Sequence, residues 1–125
     1  MARTVELRSA KDGSTLTFKR LSEDAGDVVF ECRYVSPRFS GTVEASTYYV
    51  EPLSHFFVAI AENWKSEQTW SDIDGMISLR SSGDSLGHVS LRVVLRHYEE
   101  SVVGEVELEL GQLEAIAAST REIFG

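Results

Sequence analysis

Little in this sequence offers covalent or metal chemistry. A single cysteine, Cys32, stands among 125 residues. It cannot form an internal disulfide, so packing must hold the fold, and a lone thiol fits a reducing cytoplasm. The histidines His55, His88 and His97 lack the H-x-H or H-x-x-x-H spacing of zinc ligands. Asp72, Asp74 and Asp84 occupy neighbouring loops with His88. The stretch "DIDGMISLRS" nevertheless lacks the further ligands and closing Glu of a calcium loop. Neither a metal nor a cofactor is expected. No apolar run approaches the ~18 residues needed to span a bilayer. The start, "MARTVELRSAKDGS", has no apolar signal core. The expectation is a soluble, cytoplasmic protein with no membrane partner.

Positive charge is also scarce. Twelve Lys and Arg face twenty Asp and Glu, a net charge of −8. The cations are scattered along the chain and form no basic patch in the sequence. Such a surface repels phosphate backbones and anionic lipid, so nucleic acid is not an expected partner. A basic protein partner, or self-association through an open strand or helix edge, fits the composition better. Hydrophobic residues make up 42% and charged residues 26% of the chain, which suits one globular domain over residues 1–125.

What is present is periodicity. "TVELRS", "TLTFKRL" and "VVFECRYV" alternate apolar and polar positions, with turn signals at Lys11–Ser14 and Glu23–Asp27. "FSGTVEASTYYV" continues as a long β-favouring run, with a bulge or bend expected at Gly41. The period then changes. Leu53, Phe56, Phe57, Ile60, Ala61 and Trp64 form one helical stripe, and Pro52 suits the first turn. Alternation returns in "GMISLRS", "GHVSLRVVLR" and "VVGEVELEL", read as a three-stranded antiparallel meander. Leu113, Ile116, Ala117, Thr120 and Phe124 end the chain at helical spacing. The fold class is α+β: one twisted antiparallel sheet of six to seven strands, with two helices on one face, in the order β4-α-β3-α.

The stretch "SGDSLGH", Ser82 to His88, carries the letters of a serine esterase and fits the pattern G-x-S-x-G. A nucleophile elbow needs a helix after its serine, but here Val89 to Leu95 alternate as a strand. The triad partners are missing too: no Asp or Glu lies between Ser85 and His97, no Asp follows Asp84, and no His follows His97. Gly, Asp and Ser are also the residues of a hairpin turn. The chain is therefore expected not to be an enzyme, and His88 is read as fixing the turn.

A polar constellation remains. A hairpin turn around Tyr98–Glu100 sets Arg92 opposite Glu105 and His88 opposite Glu109, while a neighbouring register sets Arg92 opposite Glu107. Opposite charges across strands are ordinary sheet pairs, so a solvated ladder is the plain reading. The functional reading makes His88, Arg92, Glu105, Glu107 and Glu109 an open patch for a ligand. Trp70 is read first as core or edge cover, and second as an exposed partner anchor.

Residues from about Trp64 to Phe124 resemble a family of small bacterial proteins of unknown function. The resemblance rests on Trp64 or Trp70, Asp74-Gly75, "Asp84-Ser85-Leu86-Gly87-His88-Val89" and Gly111-Gln112-Leu113. It implies a bacterial origin and a recurring frame around Gly87 and His88. That family has no established activity, so no catalytic residue follows from it. The leading functional expectation is a non-catalytic binding protein, in one version an immunity-type protein that neutralises a basic toxin. The alternative is a ligand-binding or enzymatic domain using the face around His88, Arg92 and Glu107.

Overall fold

Alternation in the first half folds into four strands, β1 (Thr4–Arg8), β2 (Thr15–Asp24), β3 (Asp27–Val35) and β4 (Ser40–Ser46). The computed structural model describes Arg3–Gly125. The four strands pair in chain order as one antiparallel sheet. β2 carries an irregularity at Leu21, between Arg20 and Ser22, after which its register against β3 shifts. β4 is shorter than the β-favouring run that contains it. Thr47 ends it by accepting the Val28 N–H on its hydroxyl at 3.0 Å. Tyr49 then turns the chain with φ +62°.

The helix α1 (Leu53–Glu62) follows, with Pro52 just before its first residue at φ −54°. A second set of four strands comes next: β5 (Gln68–Ser71), β6 (Ile77–Gly83), β7 (His88–His97) and β8 (Glu100–Glu109). They too pair in chain order, as a separate antiparallel sheet. β8 runs directly into α2 (Leu110–Phe124). Glu109 caps that helix through its side chain, and Gln112 reaches back to accept the Glu109 N–H at 2.8 Å. This reciprocal cap lets strand become helix with no loop between them.

The single sheet of six to seven strands is thus corrected to two sheets of four, and the order to β4-α-β4-α. The missing strand is β5. It has only four residues, and one apolar side chain, Trp70, points inward. Such a segment carries too little alternation to be told from a linker. The two long sheet runs are separated by α1, and each closes on its own neighbours.

One core joins both halves. Phe18 of the first sheet meets Phe57 of α1 and Phe124 of α2, and Phe30 meets Phe124 and Trp70 of β5, with ring centroids 5.0–6.3 Å apart. The helices pack on each other, and the Ser54 hydroxyl donates to the Gly125 carbonyl at 2.6 Å. Cys32 is wholly buried in this core, and burial pushes its thiol far above the ordinary range. Where the sheets meet, the Tyr34 ring lies directly over Gly104, where any Cβ would collide with it. Beside that contact, Ser9 and Ala10 bond the backbone of Glu107 at 3.0 and 2.9 Å. No helix among the described residues is long and apolar enough to cross a membrane.

Candidate functional site

The corner containing "SGDSLGH" is organised by Asp84. Its Oδ1 accepts the N–H groups of Leu86 (2.8 Å) and His88 (3.0 Å), and its Oδ2 lies 3.2 Å from His88 Nδ1. The His88 N–H, then the Leu86 N–H and the His88 ring, hold the carboxyl of Asp84 below the usual carboxylate value. Gly87 closes the turn at φ +88°, a conformation open to glycine. Gly83 packs against Trp64 so closely that a side chain would strike the Trp64 backbone. Ser85 is exposed, and the strand β7 begins three residues after it. Asp72 has a similar role in the preceding hairpin: its buried carboxylate accepts the Ile77 N–H at 2.8 Å.

β7 and β8 pair in the first of the two registers considered. Arg92 faces Glu105, Ser90 faces Glu107 and His88 faces Glu109. The five residues do not form one patch. His88 belongs to the Asp84 corner, and Glu109 caps α2. Glu107 sits at the seam between the sheets, where its backbone bonds Ser9 and Ala10. Arg92, Glu105 and Glu107 remain together on the open face, where they line one depression. Trp70 is only 7% exposed, and its indole N–H donates to the Glu51 carbonyl at 2.9 Å. It is a core residue, so the reading as an exposed anchor is corrected.

A different group surrounds Arg92. The outer face of the second sheet holds a depression of about 390 Å³ lined by Ser78, Arg80, Arg92, Val94 and Arg96. Arg80 on β6 is the direct cross-strand neighbour of Arg92 on β7. Arg96 lies four residues beyond Arg92, which the pleat places on the same face. Like charges set directly opposite each other in a sheet are destabilising. Arg80 is partly compensated by Glu67, 3.4 Å away. Arg92 and Arg96 make no ion pair within 4.0 Å among the described residues. Ser78 and Val94 complete the lining of the depression.

This cluster is hidden along the chain. In "ISLRS" and "SLRVVLR" each arginine looks isolated. The signal was the period of two: Arg92 and Arg96 share a strand face, and the β6–β7 hairpin brings Arg80 beside them.

A second depression, about 350 Å³, shares Arg92 with the first. It runs along the seam past Ser9, Lys11, Tyr34, Gly104, Glu105 and Glu107. Lys11 is exposed there at the tip of the first sheet.

Two solved structures share this architecture. Crystal structures of MRP1/MRP2 from Trypanosoma bruciei superpose with a TM-score of 0.56 at 11% identity, covering 96% of this chain and 81% of that one. A guide-RNA-binding protein complex bound to a guide RNA superposes with a TM-score of 0.57 at 10% identity, covering 98% of this chain and 89% of that one. At such identities the likeness is one of fold. It still corrects the expectation that nucleic acid is no partner. That expectation rested on net charge and on cations counted in sequence, and the same architecture occurs in a complex bound to RNA. No curated protein matches the chain. The family model that matches spans residues 7–125, so the chain belongs to the family of unknown function DUF6228.

Proposed function

We propose that this protein acts by binding, not catalysis, and that its ligand is a single-stranded nucleic acid, RNA in the first instance. The observation that carries this reading is the convergence of Arg80, Arg92 and Arg96 on one open sheet face. Planar guanidiniums bind phosphate oxygens in bidentate fashion. A phosphate placed among them relieves the Arg80–Arg92 repulsion and meets two guanidiniums without an ion-pair partner. The negative charge elsewhere confines an anionic ligand to this face and keeps overall affinity modest. The fold likeness to a complex bound to guide RNA supports the same reading.

Competing readings have less behind them. An immunity-type role rests on small size, a net charge of −8 and the lack of a catalytic set in the sequence, with no surface among the described residues that marks a partner. A site built on His88, Arg92 and Glu107 would need His88, which the turn holds against Asp84, outside the depression that Arg92 and Glu107 line.

The test is fluorescence anisotropy with a labelled single-stranded RNA at several salt concentrations. Binding should weaken steeply with salt, because phosphate contacts release counterions. An Arg92→Ala, Arg96→Ala double variant should bind more weakly and with a shallower salt dependence. A wild-type protein that fails to bind at ~50 mM salt, where such contacts are strong, overturns the proposal.

A further inference from the structure

At one end of the core the two sheets diverge, and a cleft of about 340 Å³ opens between them. Its floor is apolar, made by Val43 of the first sheet and by Leu95 and Val102 of the second. Gly41 forms part of the wall, and a Cβ there would come within 2.8 Å of Val102 Cγ2. His97 and Glu100 stand at the mouth. They are cross-strand partners at the ends of β7 and β8. The pleat puts His97 on the side of Leu95 and Glu100 on the side of Val102. One imidazole and one carboxylate therefore share the mouth of an apolar slot.

Both mouth residues are exposed, and Glu100 makes no ion pair among the described residues. The His97 ring is held edge-on by Tyr98, with centroids 4.6 Å apart. Tyr98 occupies a left-handed turn position at φ +57° and is 91% exposed. Arg96 directly precedes His97 and points to the opposite face of β7. The arginine face and the cleft thus meet at the end of a single hairpin.

We infer that the cleft takes one unstacked base of the strand whose phosphates lie on Arg92 and Arg96, and that this base is guanine. The inference rests on the nucleic-acid reading above. An apolar floor and an aromatic ring suit the faces of a splayed-out base. A carboxylate is an acceptor only, so Glu100 selects for donors. Guanine presents its N1–H and its N2 amino group side by side, and one carboxylate accepts both. Adenine and cytosine offer an amino group beside an unprotonated ring nitrogen. Uracil offers a single N–H between two carbonyl oxygens, which repel the carboxylate.

Anisotropy with oligouridine probes carrying one central guanine or one central adenine tests this. The guanine probe should bind about tenfold tighter, the order expected for one bidentate base contact. In Glu100→Gln the two affinities should become equal, with an unchanged melting temperature because Glu100 lies on the surface. Guanosine monophosphate at the probe's concentration should not displace the oligonucleotide. Equal affinities in the wild-type protein overturn the guanine site while leaving the arginine face intact, whereas no binding of either probe overturns both. Displacement by the free nucleotide overturns the assignment to a strand.

Discussion

The two halves of the molecule have the same order, four antiparallel strands and a helix, yet their open faces differ. On the first sheet, Lys19 faces Glu31 and Arg33 faces Thr17 and Thr42. There Lys19 is answered by an acid, and Arg33 meets only hydroxyls and no second cation. On the second sheet, Arg80 faces Arg92, with Arg96 beside them. One architecture thus carries a face on which cations stay apart and a face on which two arginines are set opposite each other, with Glu105 across from Arg92 on the other side. Fold and binding chemistry are written on opposite sides of the same strands.

The comparison is broken most severely by removing what the halves share. Phe30 of the first half touches Trp70 and Phe124, both from the second. Phe30→Ala should cost about 3–5 kcal/mol, the usual cost of truncating a buried aromatic. Urea unfolding followed by fluorescence and by circular dichroism should give one coincident transition. Two separate transitions would show that the halves fold independently.

The seam between the sheets is next. Gly104 lies under the Tyr34 ring, so Gly104→Ala forces that ring aside. The expected loss is about 1–3 kcal/mol, as for other overpacked sites. The equivalent change at Gly111, which has open space around its Cβ position, should cost no stability. Comparing the two melting temperatures separates overpacking from the general effect of replacing glycine.

How much of this was legible in the sequence depends on range. Period and turn residues located seven of the eight strands and both helices, because burial of one face imposes them locally. The β7–β8 register was also within reach, since a short turn around Tyr98 fixes it. The split into two sheets was not. Which strands pair is decided by long-range packing, and the short β5 carries almost no pattern. The same limit hid the arginine group. Arg80 and Arg92 are twelve positions apart in the numbering but adjacent across β6 and β7. Of the residues read as one polar patch, Arg92, Glu105 and Glu107 share a depression, whereas His88 and Glu109 are drawn into a turn and a helix cap that no spacing reveals.

The contrast between the two faces can be sharpened one charge at a time. Arg92→Ala should weaken RNA binding and lower the salt slope by about 0.7, the share of one phosphate contact on a single strand. Arg33→Ala, on the first sheet and away from the arginine cluster, should change neither. Equal losses at the two positions would mean that RNA follows net charge and not the cluster. Melting temperatures should stay close to wild type in both, because both side chains are exposed.

The smallest effect is expected at the β6–β7 corner, and it separates Asp84 from His88. Asp84→Ala removes an acceptor for two backbone N–H groups and the His88 ring, whereas His88→Ala removes the ring alone. Asp84→Ala should therefore lower the melting temperature more. Its pH dependence has a definite sign. The native carboxyl titrates below its ordinary value, so the folded state prefers the ionised form. Its stabilising contribution is complete above the unfolded-state value near 4 and fades as pH falls through the lowered native value. Wild type and Asp84→Ala should differ at pH 7, and the difference should shrink as pH falls through the lowered native value. A difference that persists undiminished in acid would mean that the turn depends on the shape of residue 84 and not on its charge.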